Sequence, residues 1–121
     1  MNWKMRILIV DNQSRARQSM KALMDVWYPN VEVREATNGV EAIQLVEEFL
    51  PDLILMDAHM PTMNGIEATK LIKAKRPKLK IIVLSVYPEF KAEALSGGAD
   101  AFVSKSDSPE KLRETLEHIT T

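Results

Sequence analysis

The chain has 121 residues, which argues for one domain, and 45% of them are apolar, enough for a packed core and too many for a disordered segment. Sixteen basic residues against 17 acidic ones leave a net charge of −1, which excludes a general attraction to nucleic acid or an anionic membrane, so any charge-based function must be local. With no cysteine, a disulfide framework, a thiolate nucleophile and a cysteine-based zinc site are all excluded.

From the N-terminus, the first apolar run is Ile7-Leu8-Ile9-Val10, followed at once by Asp11. It is too short for a secretory signal, and no run approaches transmembrane length, so a cytoplasmic protein is expected. Arg6–Val10 reads as the first strand. Met20, Leu23, Met24 and Trp27 then follow i, i+3, i+4, i+7 spacing and predict one apolar stripe of a helix. Val31–Ala36 is the second strand. The next helix has Asn38 as N-cap and Val40, Ile43, Val46 and Leu50 as its stripe. Asp52–Met56 and Ile81–Ser85 are the third and fourth strands, and their continuous apolar runs, Leu53-Ile54-Leu55-Met56 and Ile81-Ile82-Val83-Leu84, are the pattern of strands buried on both faces of a parallel sheet. The helix between them should turn Ala68, Leu71 and Ile72 inward and stop before Pro77. A short helix after Pro88 has Phe90, Ala94 and Leu95 as its apolar side and ends at Gly97-Gly98. Ala101–Ser104 is the fifth strand. The last helix carries Leu112, Leu116 and Ile119, with Ser108 as N-cap and Pro109 at its first position.

Five β-α units of this kind predict an α/β fold, a doubly wound five-stranded parallel sheet with helices on both faces. In such sheets ligands bind past the carboxyl ends of the strands. Asp11 and Asn12 follow the first strand, Asp57 the third, Ser85 ends the fourth, and the fifth runs into Lys105. Each has a bland reading alone. An Asp after a strand often caps a helix or forms a turn. A lone Ser is more often a satisfied hydroxyl, and a lone Lys a solvated charge. Together they form a chemical set. Two carboxylates and an amide oxygen suit Mg²⁺. A carboxylate can act as a nucleophile and carry a phosphoryl group. Phosphoryl transfer needs positioning and charge neutralisation, which a cation, an ammonium and a hydroxyl supply.

These residues also carry a family resemblance. Ile7-Leu8-Ile9-Val10-Asp11-Asn12 resembles the first strand and acidic pair of response-regulator receiver domains of two-component signalling. Leu53-Ile54-Leu55-Met56-Asp57-Ala58-His59-Met60-Pro61, with Met63-Asn64-Gly65, resembles their phosphoacceptor segment. Ile82-Val83-Leu84-Ser85 is similar to the strand bearing their Ser or Thr, and Gly98-Ala99-Asp100-Ala101-Phe102-Val103-Ser104-Lys105 to the run ending in their Lys. The resemblance covers nearly the whole chain. It implies strand order 2-1-3-4-5, a flavodoxin-like arrangement, and one receiver domain over residues 1–121. It implies that Asp57 accepts a phosphoryl group from a sensor histidine kinase or phosphotransfer protein. Asp11, Asn12, Asp57 and the carbonyl of His59 would then surround Mg²⁺. Ser85 and Lys105 would hold the phosphoryl oxygens, and Phe102 would be the switch aromatic. His59 and Tyr87 would tune dephosphorylation. Signalling would run through the surface of the fourth helix, fifth strand and fifth helix, where a homodimer is also expected by analogy. The protein would assist its own phosphorylation rather than be an enzyme in the ordinary sense.

Two residues depart from the family's pattern. Asn12 stands where a second acidic residue is usual, keeping an oxygen ligand but losing a charge, at an expected cost on the order of 1–3 kcal/mol in Mg²⁺ binding. Val86 stands where a small residue is usual and would crowd the phosphoryl site. An alternative reading is therefore a phosphate-independent interaction module. Asp57, Ser85 and Lys105 kept together argue against it. A cofactor or phosphatase reading finds no support. Asp11-Asn12-Gln13-Ser14 is a poor phosphate loop, no P-loop is present, and His59 stands where an aspartyl phosphatase would carry a second Asp. The tail Ser106-Asp107-Ser108-Pro109-Glu110-Lys111-Leu112 resembles receivers that precede helix-turn-helix domains. DNA would then be bound only through an output domain absent from this chain, since no recognition helix is present. Met20, Met24, Met56, Met60, Met63 and Trp27 read as packing residues, and His118 as a surface residue.

Overall fold

The computed structural model describes residues 4–121. In chain order the elements are β1 (Arg6–Val10), α1 (Ser14–Trp27), β2 (Glu32–Ala36), α2 (Gly39–Phe49), β3 (Leu53–Asp57), α3 (Gly65–Lys75), β4 (Lys80–Ser85), a 3-10 turn (Pro88–Phe90), α4 (Lys91–Ser96), β5 (Ala101–Ser104) and α5 (Pro109–Thr120). The strands form one parallel sheet in the order β2-β1-β3-β4-β5. Expected strand bounds hold to within one residue: β3 is shifted one place, β2 starts after Val31, and β4 gains Lys80.

The uninterrupted apolar runs form the central strands because both faces are covered. All five residues of β3 are buried, as are Ile81–Ser85 of β4. Alternating side chains divide into two layers. Leu8, Val10, Ile54, Met56, Ile81 and Val83 face α2, α3 and α4. Ile7, Ile9, Leu53, Leu55, Ile82, Leu84 and Val103 face α1 and α5. At roughly 1.5–3 kcal/mol for each large side chain fully buried, these layers supply most of the drive to fold.

The expected helix faces need correction. Val40 and Leu50 are exposed; α2 instead buries Gly39, Ala42, Val46 and Phe49. Leu71 is also exposed, and α3 buries Gly65, Ile66, Ala68, Thr69 and Ile72. Leu95 is exposed on α4, where Ala94 is the buried residue. Gly39, Ala42, Ala68 and Ala94 share the inward faces with larger side chains, at places where a bulkier residue would overpack against the sheet.

The caps show why the helices start where they do. Asn38 accepts from the Glu41 N–H at 2.9 Å, and Glu41 in return binds the Thr37 N–H and hydroxyl, a reciprocal box that fixes the start of α2. Asn64 repeats the cap on α3 through the Glu67 N–H. Ser108 holds the N-cap position of α5 without a side-chain cap bond, and Pro109 pre-sets the first turn as expected.

Candidate functional site

In this strand order the chain leaves β1 in one direction for β2 and returns in the other for β3. Asp11 follows β1 and Asp57 ends β3, so both fall at the point where the order reverses, the crevice in which open α/β sheets bind ligands. A pocket of about 610 Å³ opens there, with Asn12, Asp57, His59, Ser85, Tyr87 and Lys105 in its wall.

One ammonium joins the two acids. Lys105 Nζ lies 2.7 Å from Asp11 Oδ2 and 3.1 Å from Asp57 Oδ1. Both carboxylates are buried, at 5% exposure for Asp11 and 6% for Asp57. Asp11 also accepts the Gln13 N–H at 2.9 Å, and its own carbonyl accepts from Arg17 Nη1 at 2.8 Å. Arg17 is held in turn by Glu35 at 2.8 Å. The Ser85 hydroxyl accepts the Tyr87 N–H at 2.9 Å, which leaves its own proton free to donate. The Ser85 carbonyl accepts the Lys105 N–H at 2.9 Å, tying the ends of β4 and β5 together.

Burial raises the Asp57 carboxyl above its ordinary range. The Lys105 charge opposes that rise, the nearby Asp11 charge adds to it, and hydrogen bonds from Lys105 and the His59 N–H oppose it again. Burial alone would lower Lys105. The hydrogen bond to Asp11 and the charges of Asp57 and Asp11 outweigh burial, so the ammonium is raised and stays charged. Two buried acids sharing one cation leave a pocket that favours a further cation.

The loop after β3 is tightly made. A Cβ on Gly65 would collide with the Asp57 carbonyl oxygen, and the Gly65 N–H bonds Ala58 O at 3.0 Å. Gly39 abuts the same loop, with its N–H 3.2 Å from Met63 O. His59 and Tyr87 meet edge to face across the pocket mouth, ring centroids 6.3 Å apart, and Tyr87 meets Phe90 in the same way at 6.0 Å.

Every residue expected at the site lies at this end of the sheet except Phe102, which is half-buried in β5 beside Val83 and packs against the α2–α3–α4 layer. Asn12 and Val86 are exposed, and both line the pocket. Asp11 and Asp57 offer carboxylate oxygens, Asn12 an amide and His59 a backbone carbonyl. That hard-oxygen set fits a small divalent ion that keeps several waters. Among the described residues no three His, Cys, Asp or Glu side chains gather to hold a metal, so the site has one carboxylate fewer than a fully acidic cage. No role was assigned from the sequence to Gln13 or Arg17, and Gly65 entered only as part of the phosphoacceptor-like segment. Gly65 leaves a signal there, a glycine opening a helix directly after a capping Asn. The parts of Gln13 and Arg17 leave none.

The fold agrees with comparisons to known proteins. The family model described as response regulator receiver domain matches residues 7–117. The transcriptional regulatory protein YdfI of Bacillus subtilis is 38% identical over 114 residues, which cover 93% of this chain and 53% of that protein. The chemotaxis protein CheY of Thermotoga maritima is 38% identical over 118 residues, covering 95% of this chain and 97% of that one. Among solved structures, a LuxR-family two-component response regulator from Aurantimonas superposes with a TM-score of 0.89 at 31% identity, over 97% of this chain and 85% of that one. The chain spans about half the length of the transcriptional regulators it matches.

Proposed function

This chain belongs to the response regulator receiver domain family, and on that premise we propose that it is a phosphorylation-driven switch that accepts a phosphoryl group on Asp57. Receiver domains are signalling modules of two-component systems rather than ordinary enzymes. The single observation that carries the reading is the Lys105 ammonium bridging Asp11 and Asp57 beside a pocket that Ser85 also lines.

An Asp57 carboxylate oxygen attacks phosphorus, and the bond to the donor breaks as the new P–O bond forms. The donor is the phosphohistidine of a sensor histidine kinase or phosphotransfer protein, or a small acyl phosphate. Asp57 reacts as the carboxylate, and Lys105 charge favours that form against the pull of burial. The Ser85 hydroxyl donates to one phosphoryl oxygen, and Lys105 pairs with another. Asp11, Asp57, Asn12 and the His59 carbonyl would hold Mg²⁺, which would supply charge neutralisation in the transfer.

A phosphoryl group adds roughly −1.5 to −2 charges beside Ser85 and Lys105. Ser85 ends β4 and Lys105 directly follows β5, and the Lys105 N–H donates to the Ser85 carbonyl. The added charge therefore biases the α4–β5–α5 surface, with Phe102 following Ser85 inward. His59 and Tyr87 govern water's approach at the mouth. Residues 1–121 form one receiver domain, the signalling part of a longer transcriptional regulator that binds DNA through its output half, as the resemblance to YdfI supports. Among the described residues no helix is long and apolar enough to cross a membrane.

Asn12 and the half-exposed Val86 favour one rival, a phosphate-independent binding module. Intact mass after incubation with acetyl phosphate separates the two. The switch predicts a Mg²⁺-dependent gain of one phosphoryl group that Asp57→Asn abolishes. No gain at any Mg²⁺ concentration would leave the binding module.

A further inference from the structure

The opposite end of the sheet carries a second concavity. It lies between the C-terminal ends of α2 and α3 and the starts of β3 and β4, and encloses about 450 Å³. Val46, Leu50, Pro51 and Leu79 make an apolar wall, and Lys75, Arg76, Lys78 and Asp52 stand around it.

Leu50 is the first sign that the groove is more than a packing defect. It closes α2 in the left-handed conformation, φ 52° and ψ 61°, with 51% of its surface exposed. That conformation crowds Cβ against the next carbonyl, so a helix C-terminus normally uses Gly or Asn there. The next residue is Pro51, which pushes its predecessor towards extended backbone and worsens the fit. Half of the side chain remains in water, so burial does not offset the strain. Local stability favours another residue at this place.

Charge is the second sign. Residues 70–80 hold six of the chain's 16 basic residues and none of its acidic ones. Lys73 is engaged within the fold, bonded to the carbonyls of Pro77 and Leu79 and to Asp100. Lys75 and Arg76 share the single carboxylate of Glu47, at 3.4 and 2.7 Å. Lys78 is exposed and makes no ion pair among the described residues. The rim is therefore positive overall beside an apolar floor.

We propose that this groove docks an acidic protein segment carrying one large apolar side chain. The apolar side chain enters between Leu50 and Leu79, and flanking carboxylates meet Lys75 and Lys78. An anchor of this kind, with charged flanks, is a recurrent mode of peptide recognition. A nucleic acid fits less well. Its backbone would leave the apolar wall of Val46, Leu50, Pro51 and Leu79 uncovered. The groove lies across the sheet from Asp57 and Lys105, so a partner seated there leaves the acidic pocket open.

The test is a titration of the ¹⁵N-labelled chain with a seven-residue peptide of aspartate and glutamate around a central phenylalanine. Amide shifts confined to residues 46–52 and 75–79 are expected, with a Kd on the order of 10–100 μM that weakens with salt. The double variant Lys75→Gln/Lys78→Gln should bind at least ~10-fold more weakly. Leu50→Asn should also bind at least ~5-fold more weakly, yet melt about 3–5 °C higher, because Asn tolerates the left-handed backbone. A leucine kept for structure alone would instead lower the melting temperature when replaced. No shifts at millimolar peptide would overturn the proposal. So would equal binding of a peptide with serine in place of phenylalanine, tighter binding of a short DNA duplex at these residues, or saturation of the groove by octanoate without any response to the peptide.

Discussion

The two ends of the sheet solve opposite problems with the same strands. At the carboxyl end, Asp11 and Asp57 are buried with one shared cation, and the backbone N–H groups of Asp11, Ala58, Gly65 and Lys105 around them are hydrogen-bonded. At the amino end, Glu47, Lys75 and Arg76 pair in the open, where water screens them and little energy is at stake. Charge is costly at one end and nearly free at the other. Burial makes the difference, and the contrast teaches which ion pairs to read as machinery.

Four substitutions press on this contrast. Gly65→Ala should act most strongly. Its Cβ meets a backbone oxygen that cannot move without shifting Asp57, so a loss of more than about 3 kcal/mol, or failure to fold, is expected in urea unfolding. Near-wild-type stability would show that the loop after β3 is looser than its geometry implies. Asn12→Asp restores a carboxylate and should tighten Mg²⁺ binding about tenfold by calorimetry, the lower end of the 1–3 kcal/mol estimate. Unchanged affinity would show that residue 12 does not face the ion.

Asp57→Asn should raise the urea midpoint at neutral pH. The folded protein holds the Asp57 proton more tightly than the unfolded chain does, so ionising Asp57 costs stability as pH rises through its raised pKa. Its removal should therefore help at pH 7 and help less as pH falls into the carboxylate range. A gain independent of pH would point to a cause other than the buried charge. Glu47→Gln, at the open end, is the smallest effect. It should leave the midpoint unchanged within error, although Arg76 holds the Glu47 carboxyl below its usual range. A clear loss there would erase the distinction between the two ends.

Much of this was legible from residue order. Asp52–Met56 and Ile81–Ser85 read as buried strands because the apolar runs within them fit little else of that length, and their ends then placed Asp57 and Ser85. The helix faces were less legible. Reading large apolar residues as inward assigned Val40, Leu50 and Leu71 to the core, whereas α2 buries Gly39, Ala42 and Phe49, and α3 buries Ile66 and Thr69 beside the expected Ala68 and Ile72. Gln13 acts through its backbone N–H, which side-chain identity does not encode, and the Arg17 guanidinium donates to the Asp11 carbonyl, a backbone partner that no motif marks. The left-handed Leu50 was also hidden, since nothing in its neighbours except Pro51 marks the backbone there.

The central claim is that Asp57, and neither Asp11 nor another acid, carries the phosphoryl group. After reaction with acetyl phosphate and Mg²⁺, borohydride reduces an acyl phosphate to a homoserine that peptide mass spectrometry can locate. Homoserine at position 57 alone is the predicted result; homoserine at Asp11, at a surface acid, or nowhere would contradict it.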